Sequence, residues 1–225
     1  MRPALPRPRL GFPYSAPTWP DGVDRPRPVG RTGTDYDTTW ARRYPVRLLR
    51  ALALDGVTKP VLWAVAAPRI RGVEHLAGLA PPVIFAPNHA SHLDTPLLLT
   101  CMPERFRHHT VVAAGADYFF DRRWKGALWS FHINAVPVDR FRVSPRSTRV
   151  VAAALGDGWN LVIFPEGGRS PDGWGQPHRP GAAYLALRAG VPIVPVHIEG
   201  TGRILGKGAR RVRPAATTVM FGAPL

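Results

Sequence analysis

The stretch PVIFAPNHASHLD, residues 82–94, joins a short apolar run to a cluster of polar side chains. Residues 82–86 are apolar throughout, and such runs are typical of strands that are buried on both faces of a sheet. Similar runs recur later in the chain, and helical patterns or turns separate them. This alternation predicts an α/β fold with a mostly parallel or mixed central sheet that is flanked by helices.

The predicted elements cover most of the chain after residue 80. Strands are expected at 82–86, 110–114, 135–138, 161–164, 193–197 and 217–221, and helices through 97–99 and over 122–131, 147–155 and 182–189. Because proline cannot donate to a strand ladder, Pro192 and Pro195 predict that the fifth strand is bulged or lies at an edge. In parallel sheets, functional groups gather in the loops that follow the carboxyl ends of the strands. The polar motifs of this chain fall in such loops.

The chain is strongly basic. Its 225 residues include 30 Lys and Arg, of which 27 are Arg, against 15 Asp and Glu, for a net charge of +15. A compositional bias of the source genome accounts for the excess of arginine, so the charge leaves nucleic acid, an anionic membrane surface and phosphate-bearing small molecules open as partners. Aromatic residues are not interleaved with the basic clusters and no nucleic-acid-binding signature is present, which argues against nucleic acid. Cys101 is the sole cysteine, so no disulfide can form within the chain.

Three regions are predicted: a poorly ordered arm rich in Pro and Arg at residues 1–40, a helical segment at 41–68 and a globular domain at 69–225. The arm lacks the apolar core of a secretory signal peptide, so export by that route is not expected. The chain has no stretch of about 20 uncharged apolar residues that would form a transmembrane helix. In the segment 41–68, Leu49 and Leu52 lie on one side of a short basic helix and Trp63 follows. These helices either lie in a membrane interface or pack on the core.

The polar cluster after the first strand contains His89 and, five residues later, Asp94. On one continuous helix the two would point about 140° apart, so they meet only if His89 lies in the turn and Asp94 in the first turn of the helix, with Ser91 as the N-cap. A carboxylate that binds one imidazole nitrogen makes the other a general base. Two alternatives remain open: Asp94 only completes a capping box with Ser91, or His89, His92 and Asp94 bind a metal.

Three further segments follow predicted strands. In FPEGGRS, residues 164–170, consecutive glycines let the backbone approach an anion, Arg169 adds a positive charge, and Glu166 binds substrate hydroxyls or orients Arg169; the alternative is a surface turn. AVPVDR places Arg140 at a strand end, and VPIVPVHIEGT, residues 191–201, contains the prolines of the fifth strand.

The order of these four segments resembles the glycerolipid acyltransferase family, which is typified by bacterial 1-acylglycerol-3-phosphate acyltransferases. The resemblance covers roughly residues 69–225, and it implies that this region is an acyltransferase domain with that family's fold and without a metal or a cofactor. It also implies a role for seven residues: His89 as general base and Asp94 as its orienting acid, Arg140 and more weakly Arg169 as ligands of the acceptor's phosphate, Glu166 and Gly167 as acceptor-binding residues, and Pro195 on the acyl-donor side.

The implied reaction moves a fatty acyl group from acyl-CoA or acyl-carrier protein to the hydroxyl of a lysophospholipid such as 1-acylglycerol-3-phosphate. Such an enzyme is expected to lie peripherally on the cytoplasmic side of a membrane, where a lysophospholipid, an acyl thioester and an anionic surface are its partners. Because the implied acceptor is amphiphilic, the helical segment 41–68 is then expected to lie in the membrane interface. The basic cluster Arg203, Lys207, Arg210, Arg211 and Arg213 would meet anionic headgroups or the phosphates of coenzyme A.

The chain departs from the family pattern at three points. Gly168 stands where the family usually has Thr, HRPG at residues 178–181 lacks the usual aromatic residue, and the chain ends at Leu225, which implies that a C-terminal helical part is absent. The alternatives to acyl transfer are a metal-dependent hydrolase and a non-enzymatic basic module that binds nucleic acid or lipid.

Overall fold

A mixed seven-stranded sheet forms the centre of the computed structural model, which describes residues 33–140, 145–170, 175–209 and 211–225. The strands are β1 (Pro68–Arg71), β2 (Ile84–Pro87), β3 (Thr110–Gly115), β4 (Ala135–Val138), β5 (Asn160–Val162), β6 (Ile193–Glu199) and β7 (Thr217–Phe221). Their order across the sheet is β1-β7-β6-β2-β5-β3-β4. The β6–β7 pair is antiparallel and the other neighbouring pairs are parallel. The predicted α/β class and mixed sheet are confirmed.

Helices connect the strands and cover both faces of the sheet. They are α1 (Tyr44–Ala53), α2 (Lys59–Ala66), α3 (Asp94–Cys101), α4 (Glu104–Arg107), α5 (Ala116–Phe119), α6 (Arg123–Ile133), α7 (Pro145–Gly156), α8 (Gly181–Ala189) and α9 (Thr201–Leu205). Short 3-10 turns occur at Thr39–Arg42 and Val73–Leu76, and a π-helical turn at Leu54–Thr58 joins α1 to α2.

The core has two layers, one on each face of the sheet. Neighbouring residues of a strand point to opposite faces, so Phe85 joins the layer that contains α3, whereas Ile84 joins the layer beneath α7 and α8. Both side chains are fully buried. The continuous apolar run in β2 therefore reflects a strand that is covered on both sides, as the sequence predicts.

Two features of the N-terminal segment differ from prediction. The predicted arm extends to residue 40, but Thr38 is buried and the ring of Tyr36 packs 5.5 Å from that of Phe120; residues 1–32 lie outside the described residues. Arg50, one of the arginines of the predicted short basic helix, is buried and donates to the backbone carbonyls of Ala41 and Ser130. Within the described ranges, no helix combines the length and apolar character needed to cross a membrane.

The prolines of β6 predict either an edge strand or a bulged strand, and the structure decides between the two. The strand lies between β2 and β7 rather than at an edge. Pro195 accepts a hydrogen bond from the Gly222 N–H at 2.8 Å, and Ile193 exchanges two hydrogen bonds with Leu225. From Pro195 to Ile193 is two residues along β6, whereas from Gly222 to Leu225 is three residues along its neighbour. One extra residue on one side of the pair is the definition of a β-bulge. Pro195 therefore lies beside this bulge, which agrees with the positions that proline occupies in sheets.

The double layer predicts a large stability cost for truncating a sheet residue. We expect Phe85→Ala to lower the free energy of unfolding by about 3–5 kcal/mol, because it leaves a cavity against α3. Leu187→Ala is the control, since Leu187 is 85% exposed on α8, and its effect should stay within about 0.5 kcal/mol. Urea unfolding measures both, and similar values for the two variants would contradict this assignment of the core.

Two histidines make the fold sensitive to acid. Burial lowers the pKa of His109 and of His132, and Arg47, bonded to His109 Nδ1 at 3.1 Å, lowers the pKa of His109 further. In the unfolded chain these histidines have a pKa near 6.5, so below about pH 6.5 the unfolded state binds more protons than the folded state. The free energy of unfolding therefore decreases as the pH falls below about 6.5. The Tm should therefore fall between about pH 7 and about pH 5. It should fall less steeply in the variant His109→Gln/His132→Gln; equal slopes in thermal scans would refute the assignment.

Candidate active site

His89 and Asp94 lie at the carboxyl end of β2. His89 is in the loop after the strand and Asp94 is the first residue of α3, so the turn brings together two side chains that a continuous helix would separate. Nδ1 of His89 lies 2.8 Å from Oδ2 of Asp94. The carboxylate is an acceptor, so Nδ1 carries the proton of a neutral imidazole and Nε2 is left as a proton acceptor.

The same oxygen of Asp94 also fixes the backbone of the loop. It accepts hydrogen bonds from the N–H groups of Ala90 and Ser91, at 2.7 and 2.8 Å. Ser91 itself is not the N-cap of α3, because Leu93 holds that position and Ser91 Oγ donates to the carbonyl of Leu205 at 2.6 Å. Asp94 therefore accepts the Ser91 N–H, as the acidic residue of a capping box does, and also binds the imidazole of His89. The capping interpretation and the imidazole-orienting interpretation are compatible.

The loop that follows β5 holds His89 from its other side. Glu166 accepts the His89 N–H through Oε1 at 2.8 Å, and the Ser170 N–H donates to the His89 carbonyl at 2.8 Å. The ring of Phe164 packs 4.1 Å from the imidazole. Glu166 is only 2% exposed and does not line the cavity described below, so the contact that the structure shows for it is with the backbone of His89.

An apolar cavity of about 520 Å³ opens next to His89, whose side chain is 15% exposed. No described residue hydrogen-bonds to His89 Nε2, so this nitrogen is available to a group that enters from the cavity. The apolar side chains that line the cavity come from both layers of the fold and include Trp129, Ile133, Val151, Phe164 and Leu185. A volume of this kind, with few polar groups, suits a fatty chain or another apolar ligand.

Arg140 lines the same cavity at the end of β4 and forms a two-pronged ion pair with Asp117, in which Nε lies 3.0 Å from Oδ1 and Nη2 bonds to Oδ2. The pair lies over Gly115, where an added Cβ would come 2.4 Å from Nε of Arg140. A side chain at position 115 would therefore displace the guanidinium. Within this arrangement, the charge of Arg140 is balanced by a carboxylate.

Arg179 is a further basic residue of the cavity that the sequence interpretation did not single out. It lines the cavity, and its guanidinium donates to the carbonyl of Arg140. Gly167 lies beneath it with a φ of +68°, and a Cβ there would come 3.0 Å from Nε of Arg179. Position 167 therefore requires glycine for its backbone and for this close approach. The sequence could have indicated Arg179 because it lies in the HRPG stretch, residues 178–181. Asp117, the partner of Arg140, was also missed, and its only signal in the sequence was its position just after β3.

Of the remaining predicted residues, His92 lines the cavity and the other two do not. Arg169 does not line the cavity, and no described group hydrogen-bonds to its side chain. Pro195 is exposed on β6 and also lies outside the cavity. His92 lines the cavity with its ring stacked 5.5 Å from Tyr118. Burial, together with the charge of Arg169, lowers the pKa of His92.

The predicted metal alternative requires His89, His92 and Asp94 to converge. His92 instead stacks on Tyr118, whereas Asp94 is turned to His89 and the backbone. Within residues 33–140, 145–170, 175–209 and 211–225, no three His, Cys, Asp or Glu side chains are placed to share a metal ion. The geometry is instead that of an acid-oriented imidazole beside an apolar cavity, an arrangement able to deprotonate an alcohol.

Comparison with known proteins identifies similar enzymes. The 1-acyl-sn-glycerol-3-phosphate acyltransferase of Limnanthes douglasii is 31% identical over 171 residues, which are 73% of this chain and 57% of that protein. The enzyme of the same name from Cocos nucifera is 33% identical over 147 residues, which are 63% of this chain and 45% of that protein. This chain thus matches about half the length of these curated relatives.

A solved structure shares the fold. The crystal structure of the 1-acyl-sn-glycerophosphate acyltransferase PlsC from Thermotoga maritima has a TM-score of 0.59 and 23% identity, and the match covers 87% of this chain and 75% of that one. The family model described as Acyltransferase matches residues 67–199, which contain His89, Asp94, Arg140 and Glu166. On this match, the chain belongs to the acyltransferase family.

Proposed function

We propose that this protein transfers a fatty acyl group from a thioester to the hydroxyl of a lysophospholipid such as 1-acylglycerol-3-phosphate. The observation that carries the proposal is the 2.8 Å bond between His89 Nδ1 and Asp94 Oδ2 beside an apolar cavity. The names of the relatives from Limnanthes and Cocos support the same substrate class.

In the proposed reaction His89 Nε2 removes the proton of the acceptor hydroxyl while the oxygen attacks the thioester carbon. Asp94 stabilises the imidazolium that forms. When the tetrahedral intermediate collapses, the C–S bond breaks, a C–O ester bond remains, and the proton on Nε2 passes to the sulfur of the leaving thiol. The products are the acylated lipid and a free thiol, so the step needs no further reactant.

Arg140 and Arg179 are the proposed ligands of the acceptor's phosphate. Both line the cavity that contains His89, so a phosphate held there would keep the attached glycerol close to the base. Arg140 is paired with Asp117, and a phosphate monoester carries a charge of about −1.5 to −2, which lets it compete with one carboxylate. Arg179 adds a second positive charge at the same place. Two bound arginines would position the hydroxyl for attack.

Replacing the base tests the proposed function. His89→Ala should reduce the transfer rate by about 100-fold to 10,000-fold, since it removes a general base. The assay is thiol release from a long-chain acyl thioester across a panel of lysophospholipid acceptors. His197→Ala, which changes an exposed histidine on β6, is the matched control and should retain activity. Full turnover by His89→Ala would exclude this role of His89.

Asp94→Asn separates orientation from capping in the same assay. An amide at position 94 offers a donor as well as an acceptor and carries no charge to stabilise the imidazolium, so we expect at least a roughly 100-fold loss of turnover. If Asp94→Asn changed only the melting temperature, the carboxylate would serve the helix start alone.

We also propose that α1 and α2 attach the protein peripherally to a membrane surface, with the cytoplasmic side as its expected location. Seven large apolar side chains are exposed on this segment: Tyr44, Leu48, Leu49, Leu52, Val57, Val61 and Trp63. The predicted basic surface contributes less, because Arg50 is buried and Arg47 packs over the ring of Trp159. An amphiphilic acceptor would be reached from such a surface.

Flotation with liposomes tests this attachment. Leu52 is 63% exposed, and Leu52→Glu should weaken partitioning by about tenfold or more, because a buried leucine contributes about 1.5–3 kcal/mol. Leu187→Glu makes the same change at an exposed leucine of α8 and should float as the unaltered protein does. The loss should occur with neutral and with anionic vesicles, because the apolar side chains contribute in both. Equal flotation of the two variants would exclude α1 as the attachment site.

A further inference from the structure

Four basic side chains line a second cavity, of about 600 Å³, which is formed by the segment that joins β6 to β7 in the chain. They are Arg203, Lys207, Arg211 and Arg213, and we call this site the basic hollow; Arg210, from the same predicted cluster, lies outside the described residues. No acidic residue lines the hollow. Among the described residues none of the four forms a salt bridge, and the hydrogen bond of the Arg203 guanidinium is to the carbonyl of Ala216 at 3.1 Å. The hollow therefore presents uncompensated positive charge.

The basic hollow lies against the loop that carries His89. The helix α9 begins at the carboxyl end of β6, and β6 is the sheet neighbour of β2. The carbonyl of Leu205 accepts the Ser91 hydroxyl at 2.6 Å, and a Cβ added at Gly202 would touch the Cβ of Ala90 at 3.8 Å. One wall of the hollow is therefore in contact with the two residues that follow His89.

The basic hollow and the apolar cavity lie on opposite sides of the His89 loop. The apolar cavity is bounded by residues of β3, β4 and the loop after β5, whereas the hollow is bounded by the segment between β6 and β7. In the sheet, β2 separates β5 from β6. A molecule that placed a carbonyl at His89 and a fatty chain in the apolar cavity would direct its other end toward the positive charges.

We infer that the basic hollow binds the phosphate groups of a coenzyme A thioester, which is the acyl donor in the reaction proposed above. Coenzyme A carries a diphosphate and a ribose phosphate at one end, and a flexible pantetheine arm connects them to the sulfur. Guanidinium groups form paired hydrogen bonds with phosphate oxygens. The thioester carbon then lies at His89, and the departing thiol stays attached to phosphates that the hollow holds.

The shape of the hollow favours a small polyphosphate over a carrier protein. Its volume falls within the range of sites for small molecules, about 300–1,000 Å³. A protein partner would instead need a contact surface of about 800 Å² on each side, whereas these cations are confined to one concave segment of the chain. Anionic lipid headgroups are the competing phosphate source, because the Ala215 N–H bonds to the carbonyl of Val65 and so connects this segment to α2.

Calorimetric titration of the full chain with coenzyme A tests the inference without requiring catalysis. The variant Lys207→Glu/Arg211→Glu should bind coenzyme A at least about tenfold more weakly, because charge-assisted bonds to phosphate are lost. Arg123→Glu/Arg149→Glu changes the net charge equally at exposed positions of α6 and α7 and should bind normally. Dephospho-coenzyme A, which lacks the ribose phosphate, should bind the unaltered protein more weakly than coenzyme A does.

Kinetics with two donors give a second readout. For acyl-coenzyme A, the hollow variant should show a raised KM, whereas its rate with the acyl thioester of N-acetylcysteamine, which carries no phosphate, should be unchanged. If the unaltered protein used neither donor, the proposed transfer would fail, and the calorimetric result would still decide the role of the hollow. Circular dichroism and the milder variant Lys207→Gln/Arg211→Gln exclude misfolding as the cause.

Two results would overturn the inference. One is equal affinity of the hollow variant and the unaltered protein for coenzyme A. The other is preferential binding of glycerol 3-phosphate over coenzyme A, which would assign the positive charges to a lipid headgroup. In the first case, lost binding of the hollow variant to anionic vesicles would point to the same headgroup.

Discussion

Three donors converge on a single oxygen of Asp94, and the site depends on this convergence. The carboxyl group is completely buried, and removing a carboxylate from water costs several kcal/mol unless it is well bonded. The N–H groups of Ala90 and Ser91 and Nδ1 of His89 supply those bonds. Since two donors are backbone and one is the imidazole, the path of the chain and the direction of the ring are set together.

The sheet order explains why the loop around His89 is hydrogen-bonded on both sides. The strand β2 has β5 and β6 as its neighbours, and all three are parallel, so the loops at their carboxyl ends meet. The loop after β5 contributes Glu166 and Ser170, and the segment after β6 contributes the carbonyl of Leu205. Each side of the His89 loop is therefore bonded to a different neighbour, and residues far apart in sequence share one edge of the sheet.

The sequence was informative where a strand is buried on both faces. The runs at 110–114 and 135–138 correspond closely to β3 and β4, because burial on both sides demands apolar residues at nearly every position. The run at 217–221 also matches β7, although Met220 of that strand is 39% exposed. The strand β1, Pro68–Arg71, was missed because it is short and its alternate residues Arg69 and Arg71 are exposed. The sequence predicted that His89 would pair with Asp94 only if a turn separated them, and the sequence alone could not show that this turn forms.

The burial of Arg50 and the interior position of β6 were not accessible from sequence. An arginine on a helix is usually a surface residue, and only the tertiary packing places the carbonyls of Ala41 and Ser130 within its reach. Burial lowers the pKa of Arg50 to about 10, which is still well above neutral pH, so the group stays charged. Similarly, Pro195 predicts an interrupted ladder, but whether the interruption is an edge or a bulge depends on a segment 27 residues later, at Gly222.

Net charge alone says little about this protein, because its arginines occupy different electrostatic settings. Arg50 is enclosed by backbone carbonyls, Arg107 is buried with Asp55 and Glu104, and Arg140 is paired with Asp117. Each of these three arginines already has a partner, so an anion reaches Arg140 only in competition with Asp117. The field that a diffusing phosphate meets is instead set by cations without an acidic partner, and such cations are concentrated in the basic hollow. The arrangement of neutralised and unneutralised arginines, rather than their number, therefore decides where the surface attracts a phosphate.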